Sequence, residues 1–350
     1  MNAAAFEPAL RWTGEALEVL DQRRLPAETV YLRLDDAAAV AEAIRGMAVR
    51  GAPAIGLAAA YGVCLAARHW SRVLGGQAGP WRTRVAEDMA RLAASRPTAV
   101  NLHTALAQLR PLIEAEPPAA PEDLLAAVSR MHDRLREADR AMAEAGAARL
   151  APGARVLTHC NTGALASAGC GTALGVIRAA HARGLLGAVY ATETRPWLQG
   201  ARLTAWELGR AGIPFQLVCE GACGALMQQG RVDWLVVGAD RIAANGDVAN
   251  KIGTYTLAVL ARRHGARVMV VAPTDTFDPT LDSGAAIPIE TRAAEELTTL
   301  AGRPLAPPGT PAWNPVFDVT PAELIDLIVT EKGVIEQPDR AGVARLLALR

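Results

Sequence analysis

The first segment with reactive side chains is Thr158–Gly163, which contains Cys160 directly after an apolar, β-branched run. The positive end of a helix that follows such a run favours the thiolate, so Cys160 could act as an acid, a base or a nucleophile. A small buried filler is an equally weighted alternative, because free cysteine is often fully buried. The neighbouring His159 is expected to form hydrogen bonds in its loop and not to catalyse.

A carboxyl group ends another apolar run, in the segment Val237–Arg241. Gly238 permits close approach of the backbone, and Asp240 follows it two residues later. A partly desolvated carboxyl group can keep its proton near neutral pH and act as a general acid. On this segment alone a helix N-cap, or a surface pair of Asp240 with Arg241, is the favoured alternative.

One of only two lysines in the sequence stands before an apolar helical pattern, at Asn250-Lys251; the other is Lys332. The amides of a helix N-terminus, together with a lysine, can hold a phosphate group. The segment therefore predicts an anion site, with Asn250 as a simple N-cap in the alternative interpretation.

Three further polar segments could bind a substrate. Arg50 precedes Gly51-Ala52-Pro53, and Arg96 begins the segment Arg96–Asn101; each arginine could bind phosphate through two parallel hydrogen bonds. Gln199 lies in Glu193–Gly200, which is rich in groups that hydrogen-bond to sugar hydroxyls. Solvated arginines at helix breaks and an ordinary charged turn are the alternatives.

The elements that would position these residues differ between the two halves of the chain. Residues 1–150 predict a mainly helical domain with a few short strands, in which Asp35 or Asp36 caps an alanine-rich helix. Residues 151–350 alternate between short apolar runs and helical stretches, which predicts an α/β domain with a doubly wound parallel sheet. The five runs that predict strands are Arg155–Thr158, Ala188–Ala191, Phe215–Val218, Trp234–Val237 and Val268–Ala272. Helices are expected at 164–183, 198–211, 220–230 and 252–264. Because ligands bind beyond the carboxyl ends of such strands, Cys160 and Asp240 are expected at the same edge.

Composition excludes several classes of function. Lys plus Arg and Asp plus Glu each number 36, so no net charge attracts nucleic acid or an acidic membrane. No signal peptide or membrane span is found, and the five cysteines lack CxxC spacing, so a cytoplasmic protein with reduced thiols and no metal is expected. Gly169–Gly175 has faulty spacing for a dinucleotide fingerprint, and neither lysine follows a glycine as in a Walker A loop.

Taken together, the segments resemble the methylthioribose-1-phosphate isomerase family of methionine salvage. Its wider superfamily includes ribose 1,5-bisphosphate isomerases and regulatory subunits of an initiation-factor exchange complex. The resemblance rests on RGAPAIG at 50–56, SRPTAVNL at 95–102, THCNTGALA at 158–166, ETRPWLQGARLTAWEL at 193–208, GADRIAANGDVANKIGTYTLAVLA at 238–261, AIPIE at 286–290 and NPVFDVTPAELI at 314–325.

The resemblance implies a catalytic pair formed by Cys160 and Asp240. It also implies a small helical N-terminal domain, a Rossmann-like C-terminal domain without a bound dinucleotide, and a homodimer. The substrate-binding positions that match the family are Arg50, Gly51, Ala52, Arg96, Gln199, Asn250 and Lys251. Cys219–Cys223 and Thr291–Ala294 differ from the family pattern, which leaves fine substrate preference open.

The expected activity is therefore aldose–ketose isomerisation of 5-methylthioribose 1-phosphate to 5-methylthioribulose 1-phosphate, with Asp240 as proton donor and Cys160 as base or hydrogen-transfer partner. No cofactor, nucleic acid or membrane is expected to take part. Proton transfer and a direct hydride shift are equally consistent with the sequence. The competing interpretations are an isomerase for 5-deoxyribose 1-phosphate or ribose 1,5-bisphosphate, a non-catalytic regulatory homologue, and an NAD-dependent dehydrogenase.

Overall fold

A computed structural model describes residues 7–75, 77–97, 99–300 and 302–349. Of these, residues up to 140 form one compact unit together with 163–171, and 141–162 form a second with 172–349. The domain boundary was expected at residue 150, whereas this division falls at residue 140, within the helix Pro121–Ala147. On that helix Asp139 accepts hydrogen bonds from Ser167 Oγ (2.6 Å) and from the amides of Gly169 (2.9 Å) and Gly171 (3.1 Å), which ties 163–171 to the first unit.

The first unit is mainly helical, as the sequence predicted. It consists of an antiparallel sheet, β1 (Leu10–Trp12), β2 (Leu17–Leu20) and β3 (Tyr31–Leu34), and of helices α1 (Ala37–Arg45), α2 (Ala52–Leu74), α3 (Ala78–Ala93), α4 (Val100–Glu114) and α5 (Pro121–Ala147). Asp36 caps α1 by accepting the Ala39 amide (2.7 Å), which confirms one of the two expected caps. Every residue of α2 from Ala54 to Ala67 is buried, because α1, α3 and α4 pack around it.

The second unit alternates strands and helices. In chain order it contains β4 (Ala154–Thr158), α6 (Ala173–Ala182), β5 (Leu186–Thr192), α7 (Ala205–Arg210), β6 (Gln216–Val218), α8 (Cys223–Gln228), β7 (Trp234–Val237), β8 (Arg241–Ala243), β9 (Val248–Lys251), α9 (Thr254–His264), β10 (Arg267–Val271), β11 (Phe277–Asp278), α10 (Glu295–Thr298), β12 (Thr299–Leu300), β13 (Arg303–Pro304), β14 (Phe317–Thr320), β15 (Leu327–Thr330), β16 (Gly333–Glu336) and α11 (Arg340–Leu347).

The main sheet of this unit has the strand order β16-β15-β10-β7-β4-β5-β6. All neighbouring pairs are parallel except β15 and β16, which are antiparallel. The α/β fold class predicted from the sequence is thereby confirmed, and all five predicted strands are present. From β4 the chain first builds outward through β5 and β6 and then returns to place β7 on the other side of β4. The strand order therefore reverses between β4 and β7, and such a switch point opens a crevice for ligands.

Two parts of the second half of the chain differ from the sequence prediction. Residues 164–183 were expected to form one helix, but they contain a 3-10 turn at Ala164–Ala166 and a helix, α6, that begins only at Ala173. Glycines break the pattern here, since Gly163 and Gly171 pair as an isolated β-bridge. A second sheet, ordered β11-β8-β9-β14, was not predicted, because its short strands mix charged or amide residues such as Arg241, Asn250 and Asp318 with the apolar ones.

Candidate active site

Cys160 and Asp240 follow the two strands that flank the switch point. In the parallel pairing of β4 with β7, Thr158 lies opposite Val236, so the two strands end side by side. A Cβ atom added at Gly238 would lie closer than 3.0 Å to Thr162 Cγ2, so the loop after β7 packs directly on the loop after β4. Both candidate catalytic residues therefore belong to touching loops at the carboxyl edge of the sheet.

Cys160 has an unusual backbone conformation, with φ of 65°, and its side chain is buried. A non-glycine residue in this left-handed region costs on the order of 1–3 kcal/mol and persists only when its surroundings hold it. Two threonine hydroxyls supply that support: the Cys160 amide donates to Thr194 Oγ1 (2.9 Å), and Thr204 Oγ1 donates to the Cys160 carbonyl oxygen (2.6 Å). The prediction that the dipole of a following helix acts on the Cys160 thiol is wrong, because α6 begins thirteen residues later, at Ala173.

His159 is buried and joins the loop after β4 to the end of β5 and to the segment after β9. Its Nε2 lies 2.8 Å from the carbonyl oxygen of Ile252, and its Nδ1 lies 2.7 Å from Thr192 Oγ1. Burial lowers the pKa of His159 to about 4, so the ring is neutral near pH 7. The expectation that His159 forms hydrogen bonds is confirmed, although its partners lie outside its own loop.

Asp240 is joined to the strand that carries Asn250 and Lys251. Its amide donates to the carbonyl oxygen of Ala249 (2.9 Å), the residue before Asn250 on β9. The Asp240 side chain is partly exposed, and Arg241 forms an ion pair with Asp278 (3.5 Å). The His159–Ile252 contact attaches the other end of β9 to the Cys160 loop. The structure therefore brings Cys160, Asp240, Asn250 and Lys251 to one end of the main sheet.

The prediction that the amides at the start of α9 bind phosphate is wrong. The carboxylate of Asp318 already accepts the amides of Gly253 (2.7 Å) and Tyr255 (3.1 Å). Burial raises the pKa of Asp318 to about 6, and these amides oppose that shift. Lys251 lies on β9, and its Nζ donates to the carbonyl oxygen of Val316 (2.8 Å). Any contact of Lys251 with an anion would therefore come from its side chain and not from the helix terminus.

Gln199 lies at a constrained turn of the same unit. Its side chain is 4% exposed, and its Oε1 has no hydrogen-bond partner among the residues that the structure describes. It precedes a π-helical turn, Gly200–Thr204, and a Cβ atom at Gly200 would overlap the carbonyl oxygen of Thr192. Buried acceptors are nearly always satisfied, and π-turns are frequent at functional sites, so Gln199 retains its place as a candidate.

In the helical unit, Arg50, Gly51 and Ala52 form the N-terminus of α2. Gly51 has φ of 93°, and a Cβ atom there would lie 2.5 Å from Cα of Ala166, so only glycine fits. The N-cap, Gly51, has no side chain with which to cap the first amides of α2, and Pro53 has no amide hydrogen to offer. Helix amides next to an arginine are typical of anion sites, which makes this terminus a better candidate than that of α9.

Arg96 lies between α3 and α4, in a segment whose Thr98 falls outside the described residues. A Cβ atom at Gly56, one turn into α2, would lie 2.7 Å from the carbonyl oxygen of Asn101. The start of α4 therefore packs against the first turns of α2. The segments of Arg50 and Arg96 are neighbours within the helical unit.

Several residues that shape this site were not identified from the sequence. Thr194 lies in the segment that was expected to bind sugar hydroxyls, and Thr192 lies just before it, yet their hydroxyl groups contact the Cys160 amide and His159. Glu220 Oε1 accepts the Thr194 amide (2.5 Å). The signal available in the sequence was a run of hydroxyl side chains directly after a predicted strand, at the edge where Cys160 was expected.

Neither a metal-binding cluster nor a membrane-spanning helix occurs among the described residues. Over 7–75, 77–97, 99–300 and 302–349, the structure contains no group of three or more His, Cys, Asp or Glu side chains that could hold a metal ion. Within those same ranges, no helix combines the length and the apolar character needed to cross a bilayer.

The chain combines a helical unit with an α/β unit whose switch point carries a thiol and a carboxyl group. These features define the class of protein with which the chain is compared. The model of the Initiation factor 2 subunit family matches residues 48–337, and the chain belongs to this family.

Within that class, two of the similar proteins are described as methylthioribose-1-phosphate isomerases. Methylthioribose-1-phosphate isomerase of Thioalkalivibrio sulfidiphilus is 59% identical over 339 residues, which cover 97% of this chain and 96% of that protein. The solved structure of 5-methylthioribose 1-phosphate isomerase from Pyrococcus horikoshii superposes with a TM-score of 0.91 at 39% identity, covering 99% and 98% of the two chains. An A. fulgidus protein described as the delta subunit of translation initiation factor eIF-2B has a TM-score of 0.84 at 37% identity, covering 98% and 99%. The resemblance to the methylthioribose-1-phosphate isomerase family is thereby confirmed.

Proposed function

We propose that the protein is an aldose–ketose isomerase that converts 5-methylthioribose 1-phosphate to 5-methylthioribulose 1-phosphate, a step of methionine salvage. The observation that carries the proposal is the 59% identity, over nearly the whole of both chains, to a protein of that name. The position of Cys160 and Asp240 on touching loops at the switch point supports it independently.

The phosphate group on C1 prevents spontaneous opening of the sugar ring, so the enzyme must assist that step. In the proposed reaction Asp240 donates a proton to the ring oxygen as its bond to C1 breaks, and Cys160 removes the proton from C2. The resulting enol phosphate then loses the proton of its C2 hydroxyl and gains a proton at C1, which gives the ketone at C2. In the alternative route, the hydrogen moves from C2 to C1 as hydride.

The candidate binding residues divide by chemistry. Arg50 and Arg96, with the start of α2 at Gly51 and Ala52, suit the phosphate group, since arginine and helix termini bind phosphate by several hydrogen bonds. Gln199 and Asn250 offer amide groups to the sugar hydroxyls, and Lys251 adds a positive charge. The reaction as proposed uses no cofactor.

The rival functions differ in substrate or in the absence of one. The A. fulgidus protein, described as an initiation-factor subunit, favours a regulatory role, whereas the thiol and carboxyl group at the switch point favour an enzyme. For 5-deoxyribose 1-phosphate the difference from the proposed substrate is one small apolar group, worth about 1–3 kcal/mol. Ribose 1,5-bisphosphate would need a second cationic site for its second phosphate.

NMR of the purified protein with each of the three sugar phosphates, without added cofactor, tests the proposal. Formation of ketose from 5-methylthioribose 1-phosphate at the highest kcat/KM supports it, and no turnover of any of the three refutes it. In deuterated water, deuterium at C1 of the product indicates proton transfer, whereas its absence indicates a hydride shift.

Three further features belong to the same proposal. We propose a homodimer, because two large apolar side chains are exposed, Leu305 at 58% and Trp313 at 82%, and a second copy of the chain would cover them. The five free cysteines support a reducing, cytoplasmic location. The parallel strands and switch point support a Rossmann-like description of the main sheet. Sedimentation at micromolar concentration tests the first feature, and a monomer would refute it.

A further inference from the structure

A continuous chain of hydrogen bonds runs from the backbone of Cys160 to the buried ring of His159. The Cys160 amide contacts Thr194 Oγ1 (2.9 Å), Thr194 Oγ1 contacts Thr192 Oγ1 (2.8 Å), and Thr192 Oγ1 contacts His159 Nδ1 (2.7 Å). On the opposite side of the ring, Nε2 contacts the carbonyl oxygen of Ile252 (2.8 Å). All four residues that these hydrogen bonds join, His159, Cys160, Thr192 and Thr194, are buried.

The direction of each hydrogen bond follows from its two ends. A carbonyl oxygen only accepts, so Nε2 carries the hydrogen that faces Ile252, and Nδ1 of the neutral ring must accept. The Thr192 hydroxyl therefore donates to Nδ1, and the Thr194 hydroxyl donates to Thr192. Thr194 in turn accepts the Cys160 amide. The Glu220 carboxylate is the competing acceptor for the one hydrogen of the Thr192 hydroxyl.

We propose that His159, acting through Thr192 and Thr194, is a positioning residue that holds Cys160 in its left-handed conformation for the reaction. The proposal rests on the proposed function, because it assigns the reactive thiol to Cys160. It concerns residues that do not need to touch the substrate. Their effect is on where the sulfur atom lies relative to the sugar.

Two further contacts indicate that the ring itself is held in a fixed place. A Cβ atom at Gly253 would lie 3.2 Å from both Cε1 and Nε2 of His159, so the ring packs directly on the backbone that follows Lys251. The nearest carboxylate oxygen, Glu220 Oε1, is 3.9 Å from Nδ1. Because Thr192 Oγ1 is closer than Glu220, the hydroxyl is the partner that fixes this side of the ring. The chain thus couples the Cys160 loop to the segment after β9.

Paired variants separate the hydrogen bonds from packing. Thr192→Val removes the hydroxyl at nearly constant volume, and Thr192→Ser retains it. His159→Asn keeps an acceptor where Nδ1 lies, whereas His159→Gln keeps a donor where Nε2 lies. The isomerase assay gives kcat and KM for each variant, urea unfolding gives its stability, and ¹⁵N NMR of labelled histidine gives the tautomer of His159.

The expected result is a loss in kcat of roughly ten- to a hundredfold for Thr192→Val, with KM changed by less than about threefold, because a small displacement of a reacting group has effects of this size. Thr192→Ser is expected to recover most of kcat, and His159→Asn to retain more than His159→Gln. Equal kcat for the Val and Ser variants, or an effect on KM alone, overturns the proposal.

The NMR measurement separates this proposal from the proposed function. An unprotonated Nδ1 and a protonated Nε2 at pH 7 support the chain even if no sugar phosphate is turned over, in which case only the function fails. A protonated Nδ1, with Thr192 donating to Glu220 instead, overturns the chain even in an active enzyme.

Discussion

Replacing Gly238 with alanine separates the two loops that carry Cys160 and Asp240. An added Cβ atom would lie less than 3.0 Å from Thr162 Cγ2 and 3.2 Å from Thr162 Cβ. Restoring ordinary contact, at 3.4–4 Å, requires the loops to move apart by on the order of 1 Å. The backbone conformation of Gly238 lies outside the left-handed region, so steric overlap alone accounts for the effect.

The size of the effect follows from two general magnitudes. An extra methyl group forced into a packed region typically costs about 1–3 kcal/mol of stability. A displacement of about 1 Å between reacting groups costs roughly a hundredfold in rate. We therefore expect Gly238→Ala to lower kcat about a hundredfold and the free energy of unfolding by about 1–3 kcal/mol.

The assay compares four variants in isomerase kinetics and urea unfolding. Thr162→Ser removes the Cγ2 atom that the new methyl group would meet. The double variant Gly238→Ala/Thr162→Ser is therefore expected to reverse at least half of the increase in activation free energy that Gly238→Ala causes. Gly209→Ala is the matched control, because a Cβ atom there meets nothing within 4 Å. Full activity in Gly238→Ala, or no recovery in the double variant, would show that contact between the two loops does not position the reacting groups.

Three further predictions follow from the site and its supports. Cys160→Ser and Asp240→Asn are each expected to lower kcat at least about a hundredfold in the NMR assay, on the scale of general acid–base catalysis, and wild-type rates would contradict the assigned roles. Gln199→Leu should raise KM roughly tenfold while barely lowering the free energy of unfolding in urea, because Oε1 has no partner among the described residues. Burial raises the pKa of Asp139 from 3.8 to about 6, so the native state binds this proton more tightly than the unfolded chain does. The resulting stabilisation is fully present below about pH 4 and is lost as the pH rises through about 6. Asp139→Asn should therefore flatten the dependence of unfolding free energy on pH between these values, and an unchanged slope in urea unfolding would contradict this origin.

Features of the fold set by local sequence were predictable. The strand of Trp234–Val237 is a run of four buried apolar residues between polar turns, and Asp36 before an alanine-rich stretch is a strong N-cap signal. Because parallel strands end at a common edge, the order of strands and helices was also enough to place Cys160 and Asp240 at that edge.

Features set by distant contacts could not be predicted. Asp318 occupies the amides at the start of α9 from 65 positions away, so the local pattern around Lys251 predicted an anion site at amides that the protein itself fills. Gly163–Gly171 joins the helical unit because buried Asp139 accepts two of its amides, and no periodicity in the segment indicates this. Thr194 supports Cys160 through a hydrogen bond across 34 positions, which spacing alone cannot reveal.

A crystal structure of the protein with 5-methylthioribulose 1-phosphate bound would test the roles of Cys160 and Asp240 most directly. We expect Cys160 Sγ next to C1 and C2 of the sugar, and the Asp240 carboxyl group within hydrogen-bond distance of the oxygen on C4. A ligand bound away from the ends of β4 and β7, or one that meets only one of these two side chains, would contradict it.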